Sequence, residues 1–155
     1  MPELPEVETV RRGLADLLPG QAVVRATVFD SPKSFPNSPI DVQQFLYGAH
    51  VTAVRRRAKV LMIDLDTRYS LVIHLKMTGQ LIFRGANSFA GGHPNDSLIG
   101  ELPDKSTRVQ IDFTDGSHLF FNDQRKFGWM KLMPTDEIEN LPFMQKVGPE
   151  PLDKK

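Results

Sequence analysis

What most restricts the fold of this 155-residue chain is a close succession of short apolar segments between residues 51 and 133. Val51–Arg57, Val60–Asp66, Ser70–Lys76 and Gly79–Arg84 each read as a strand, with only two or three residues between neighbours. Arg108–Phe113 alternates cleanly, with Val109, Ile111 and Phe113 on one side, turns at Asp115-Gly116 and returns through Leu119 and Phe121. Asp-Gly between alternating apolar residues is the strongest hairpin signal in the chain. Phe127–Met133 supplies a further strand, and Gln21–Asp30, rich in Val, Thr and Phe, an earlier one. Ser31–Pro39 holds three prolines and reads as a loop; Gly85–Thr107, polar and carrying Gly91-Gly92, predicts a mobile one. Asp41–Tyr47 predicts a short helix capped by Asp41, and Thr135–Leu141 a last helical turn capped by Thr135.

Before these strands comes a helix. From Pro5 onward Val7, Val10, Leu14, Leu17 and Leu18 share one face, while Glu6, Glu8, Arg11, Arg12 and Asp16 take the others. Pro5 suits a first turn, the early acids suit the positive end of the dipole, and Pro19-Gly20 ends the run. One helix followed by many short strands predicts an α+β, mainly β fold: a two-layer β-sandwich with an N-terminal helix and short flanking helices.

Size and composition fit one soluble globular domain with a real core. Nineteen Lys and Arg balance nineteen Asp and Glu, so any nucleic-acid partner must be met by a local patch and not by a global field. No cysteine is present, which excludes disulfides and a thiolate zinc site within these residues. No apolar run approaches membrane-spanning length, and the acidic start does not read as a signal peptide. The expectation is a cytoplasmic protein without a membrane partner.

The first residues carry possible chemistry. Removal of Met1, normal before a small second residue, makes Pro2 a free secondary amine followed at once by the Glu3 carboxylate. An α-amine has a reference pKa near ~8, so much more of it is neutral and nucleophilic at neutral pH than of a lysine. Condensed with an aldehyde, a secondary amine gives an iminium that stays cationic and draws electrons from the neighbouring carbon. The helix start disfavours a protonated amine and Glu3 favours it, which makes the two a plausible catalytic pair. Read alone, Met-Pro is a common chain start, and Glu3 and Glu6 are ordinary helix-start acids.

Three later stretches admit a functional and a plain reading. Arg55-Arg56-Arg57-Ala58-Lys59, at a strand junction, can grip phosphates or form a solvated charged turn. In Ile73–Gly79, alternation puts His74 and Lys76 on one side; Met77 is either core filler or a flexible apolar wedge. Asn122–Trp129 is a polar turn from which Arg125, Lys126 and Phe127 project, with Phe127 either a strand residue of the core or a stacking group and Trp129 core.

The run PELPEVETVRRGL resembles the amino terminus of bacterial formamidopyrimidine-DNA glycosylases, the Fpg or MutM family, which excise oxidised purines and cut the strand at the abasic site. The likeness continues through the later motifs over almost the whole chain. It implies Pro2 as nucleophile and Glu3 as general acid/base. Glu6 would help to fix the amine, the helix start or the lesion, and Lys59 would approach the lesion's backbone. It places His74 and Lys76 near phosphates. Met77, Arg125 and Phe127 become one intercalating set that fills the space of an extruded base, with Arg125 on the partner base's exposed edge. That trio favours the oxidised-purine branch over the related endonuclease VIII branch.

Val147-Gly148-Pro149-Glu150-Pro151-Leu152 resembles the family's hinge. The resemblance therefore divides the chain into a catalytic domain, 1–147, and the start of a hinge, 148–155. The family's second domain, with its helix–two-turn–helix and four-cysteine zinc finger, lies outside this sequence. The expectation is a monomeric, nucleoid-associated glycosylase and abasic-site lyase half without its own cofactor, acting weakly on double-stranded DNA that carries an oxidised purine or abasic site. The alternatives are a non-catalytic DNA-damage-binding module and a proline-based tautomerase; tautomerases run from the terminal proline directly into a strand, unlike the acidic helix here.

Overall fold

The computed structural model describes residues 4–145. In chain order the elements are α1 (Leu4–Leu17), β1 (Val23–Val28), α2 (Pro39–Phe45), β2 (Val51–Arg57), β3 (Val60–Leu65), β4 (Tyr69–His74), β5 (Gly79–Arg84), β6 (Ser88–Gly92), β7 (Thr107–Phe113), β8 (His118–Asp123), β9 (Trp129–Pro134) and α3 (Pro142–Gln145), with short 3-10 turns between some of them.

Every strand pair among the described residues is antiparallel, which short connections require for β2–β3, β3–β4, β5–β6 and β7–β8. The hairpin forms where Asp115-Gly116 predicts it. Gly116 takes a left-handed φ of 88°, and the Asp115 carboxylate accepts from the backbone N–H and hydroxyl of Ser117. Its register pairs Val109 with Phe121 and Ile111 with Leu119, all fully buried. The hairpin is the centre of a five-stranded sheet, β1-β7-β8-β5-β6, which faces a four-stranded sheet, β2-β3-β4-β9. The expected two-layer sandwich is thus the observed architecture.

The main core lies between the sheets and under α1, which packs across two edge strands, β2 of one sheet and β6 of the other. Val7, Val10, Leu14 and Leu18 form the buried face, as the helical spacing predicts. Contact there is close: a Cβ on Gly13 would come within 2.3 Å of the Phe89 ring. β3 buries both faces. Leu61, Ile63 and Leu65 join the main core, while Val60 and Met62 join Val72, Met133, Ile138 and Met144 in a second cluster beneath the 135–144 segment. That explains why β3 reads as a continuous apolar run.

Three local expectations change. Thr135 is the first residue of a 3-10 turn, Thr135–Asn140, and not its cap: Pro134 holds the cap position, and the Thr135 hydroxyl shares a hydrogen bond with that of Ser70. Residues 88–92 form β6 and not part of a mobile loop. The Gly-Gly pair gives no strand signal, but the strand is fixed by pairing with β5 and by α1, since a Cβ on Gly91 would lie 2.7 Å from Val10. The second helix starts at Pro39, capped by the Ser38 hydroxyl, which accepts from the Asp41 N–H; Asp41 sits in the first turn and is not the cap.

Electrostatics join packing in fixing α1 to the sheet. The Glu8 carboxylate accepts from Arg11 and Arg12 on its own helix and from Arg56 Nε on β2 at 2.8 Å. The Arg56 side chain is only 2% exposed. Hydrogen bonds from Arg11 first, and from Arg56 and Arg12, hold the Glu8 pKa down to about 2 in spite of burial. A depressed carboxylate stabilises the fold above its unfolded pKa, and that contribution is lost as pH falls through the folded value. Glu8→Gln takes one negative charge away from three arginines, among them the buried Arg56, and is expected to cost about 3 kcal/mol at neutral pH. Urea unfolding checks this, and the gap to the parent chain should shrink between about pH 5 and pH 2.

Candidate nucleic-acid interface

Three turns meet at one end of the sandwich: Ala58-Lys59 between β2 and β3, residues 75–78 between β4 and β5, and residues 124–128 between β8 and β9. Sheet register brings them together. Val60 pairs with His74, and His74 with Trp129, so these three lie side by side across three strands, with Lys59 next to Val60 in the turn. The His74 and Trp129 ring centroids are 6.0 Å apart.

His74 Nδ1 accepts the Lys76 backbone N–H at 3.0 Å. Burial, then the charges of Lys76 and Lys59, push the imidazole pKa down to about 4. Near neutral pH the ring is therefore uncharged, and with Nδ1 accepting, its one proton sits on Nε2. The arrangement offers a neutral donor flanked by two cations, which suits a phosphodiester oxygen.

The next two turns share one carboxylate. Asp123 closes β8 and is fully buried. It accepts from the Thr78 hydroxyl in one turn and, in the other, from the N–H groups of Arg125, at 3.1 Å, and Gly128. Held this way, Met77 and Phe127 project outward at 43% and 55% exposure. Arg125 joins them, its guanidinium carbon 5.1 Å from the Phe127 ring centroid and Nη1 3.9 Å from Met77 Sδ. Two large apolar side chains exposed together, bridged by an arginine, make an unusual patch for a soluble surface.

The backbone at these turns is unusual as well. Ala58, Lys76 and Lys126 take left-handed φ angles of 51°, 54° and 61°, a region L side chains adopt rarely and at some cost. Lys126 is also tied down, its Nζ donating to the Asp30 carbonyl at 3.2 Å. Each strained residue immediately precedes one of the projecting side chains Lys59, Met77 and Phe127.

The arginine run divides differently from either sequence reading. Arg55 pairs with Asp64, Arg56 with Glu8, and Arg57 with Glu139. All three are paired with acids of the protein, Arg56 in the interior and Arg55 and Arg57 nearer the surface, so the run is not a grip of four cations; Lys59 is its member at the interface. Glu6 is exposed on the first turn of α1. Pro2, Glu3 and the hinge residues Val147–Leu152 lie outside the described residues. Sequence reasoning missed Asp123 and Thr78. An Asp two residues before a projecting side chain is an Asx-turn signal, and it precedes Arg125 here. Among the described residues no helix is long and apolar enough to cross a membrane, and no three His, Asp or Glu side chains gather as metal ligands.

The sequence and fold have known counterparts. Residues 1–130 match the model of the formamidopyrimidine-DNA glycosylase N-terminal domain. Curated relatives with the name formamidopyrimidine-DNA glycosylase include one from a Jannaschia species, 43% identical over 154 residues, and one from Dinoroseobacter shibae, 39% identical over 152. Each alignment takes in 98% of this chain but 52% of the relative, so the chain spans about half their length. Among solved structures, wild-type Lactococcus lactis Fpg with DNA containing N7-benzyl-Fapy-dG superimposes with a TM-score of 0.78 at 29% identity, covering 97% of this chain and 50% of that one. The same organism's Fpg with abasic-site DNA gives 0.77 at 28% identity, covering 96% and 49%. A family match over most of the chain, on a sandwich of the same architecture, means that this chain belongs to the formamidopyrimidine-DNA glycosylase N-terminal domain family.

Proposed function

We propose that this chain is the nucleophile-bearing half of a base-excision repair glycosylase and abasic-site lyase that acts on oxidised purines such as 8-oxoguanine and formamidopyrimidines in duplex DNA. The observation that carries this reading is the gathering of Met77, Arg125 and Phe127 into one exposed patch beside Lys59, His74 and Lys76. An enzyme acting on a base must take it out of the stack, fill the gap and hold the backbone beside it. Phe127 and Met77 fill the gap, and Arg125 hydrogen-bonds the orphaned partner base. Lys59 and Lys76 draw in phosphates, and neutral His74 donates from Nε2.

In this mechanism the Pro2 amine attacks C1′ of the damaged nucleotide and the base departs. Glu3 protonates the opening sugar, leaving a cationic iminium between Pro2 and C1′. That cation draws off the electrons of the C2′–H bond, and β-elimination breaks the 3′ phosphate bond; δ-elimination then releases the 5′ phosphate. Glu6, on the exposed first turn of α1, faces the solvent side from which substrate arrives. The chain works as a monomer at the nucleoid. No step uses a metal, and the family's zinc finger belongs to a second domain that these residues do not encode.

Three measurements test this reading. Borohydride should trap a covalent adduct between Met1-processed chain and an abasic duplex, and an N-terminal acetyl block should abolish it; an undiminished adduct after blocking removes Pro2 from the mechanism. Phe127→Ala should weaken abasic-duplex binding by about tenfold or more, since base–aromatic stacking contributes about 1–3 kcal/mol, while thermal stability stays within about 0.5 kcal/mol of the parent. NMR titration of His74 should give a midpoint near 4 in the free chain, moving upward when duplex phosphates bind.

A further inference from the structure

Beside the 124–128 turn, Ser97, Asp104, Lys105, Ser106, Arg108 and Gln124 line an open cleft of about 420 Å³. Arg108 is the unusual member. It is only 5% exposed, and its Nε donates to the Asp123 carbonyl at 2.9 Å. Its two terminal nitrogens have no hydrogen-bond partner or counter-ion among the described residues and keep contact with solvent, and the residue lines the cleft. A guanidinium largely withdrawn from water favours an anion, and its flat fork matches an oxyanion with two adjacent oxygens.

The remaining lining supports the same ligand. Lys105 is exposed at the mouth. Gln124 accepts weakly from Asn95 at 3.5 Å through its oxygen, which leaves its amide N–H groups free to donate. Asp104 is the single acid, and its carboxylate is already saturated by the Ser97 hydroxyl, the Ser106 hydroxyl and the Ser106 N–H. Those bonds hold its pKa below the usual carboxylate range, so it stays an anion that repels little beyond its own shell. Two cations and an amide thus converge on space large enough for a nucleotide unit.

We infer that this cleft is a second anion site, separate from the Lys59–His74–Lys76 group, and that it takes a backbone phosphate of duplex DNA on the partner side of the intercalating turn. The inference rests on the DNA-repair reading for the identity of the ligand, and on Arg108 for its chemistry. Gln124 lies next to Arg125 in the chain, so a strand whose base meets Arg125 passes the cleft mouth. Arg108 also carries the backbone of Asp123, so one residue touches both the phosphate and the anchor of the turn.

Salt-dependent binding to an undamaged duplex tests this, with Arg108→Gln and the exposed Lys105→Gln. Each lost phosphate contact should lower the slope of log K against log salt by about one, and Arg108→Gln should weaken binding by about tenfold. Lys105→Gln guards against a folding defect, because it buries nothing. In parallel, inorganic phosphate is titrated against the ¹⁵N signal of Arg108 Nε, where a saturable shift is expected. Parent-like slopes in both variants overturn the assignment; with a phosphate shift at Arg108 they point to a free anion and not DNA. Absence of any shift, with Lys105→Gln at the parent slope, overturns the site altogether. A parent chain that binds no duplex but shows the phosphate shift would instead sink the repair reading and leave the anion site standing.

Discussion

The working end of this domain depends on the carboxylate of Asp123. It is fully buried, and it accepts hydrogen bonds from two turns that are far apart in sequence. Only an acceptor with several lone pairs can serve a hydroxyl and two amides at once, which is why an acid stands there and not an amide. The geometry leaves no slack. A Cβ on Gly128 would lie 2.8 Å from the Asp123 carboxylate and 2.8 Å from the His74 carbonyl. The carboxylate thus sets how far Met77 and Phe127 stand out from the surface, and it does so from the rigid end of a central strand.

Charge is divided with similar economy. The chain is neutral overall, so cations committed to folding are not available for a polyanion. Arg55, Arg56 and Arg57 pair with Asp64, Glu8 and Glu139, and of the three only Arg56 is buried. Lys59, Lys76, Lys105, Arg108, Arg125 and Lys126 gather around the projecting turns instead. His74 contributes polarity without charge, because burial first, and then the charges of Lys76 and Lys59, keep its ring neutral. A locally basic face can thus exist on a protein whose summed charge gives no hint of it.

Much of this was legible from residues alone where local chemistry and global packing agree. The Asp115-Gly116 turn, the alternation of Val109, Ile111 and Phe113, and the apolar stripe of α1 are cases in which one face meets the core and the other water. The signal failed where a long-range partner decides. β6 is a strand because Gly91 lets Val10 approach, not because its residues prefer extension. Arg56 is buried because Glu8 lies forty-eight residues away, a separation no window can span. Asp123 looks like any polar turn residue until Thr78 is placed against it. The grouping of Met77 with Arg125 and Phe127 was visible only through the family's motifs, since nothing in their spacing says that two loops will touch.

The apolar outer face of the four-stranded sheet has a consequence for where this domain stops. The family model matches residues 1–130, yet Val60, Met62, Val72 and Met133 are covered by Ile138, Leu141 and Met144. Shearing the polypeptide after residue 130 would remove most of β9 and uncover a greasy wall. Such a wall invites aggregation. The stretch that the family model matches and the stretch that covers this wall therefore have different ends, and the second reaches at least to Met144.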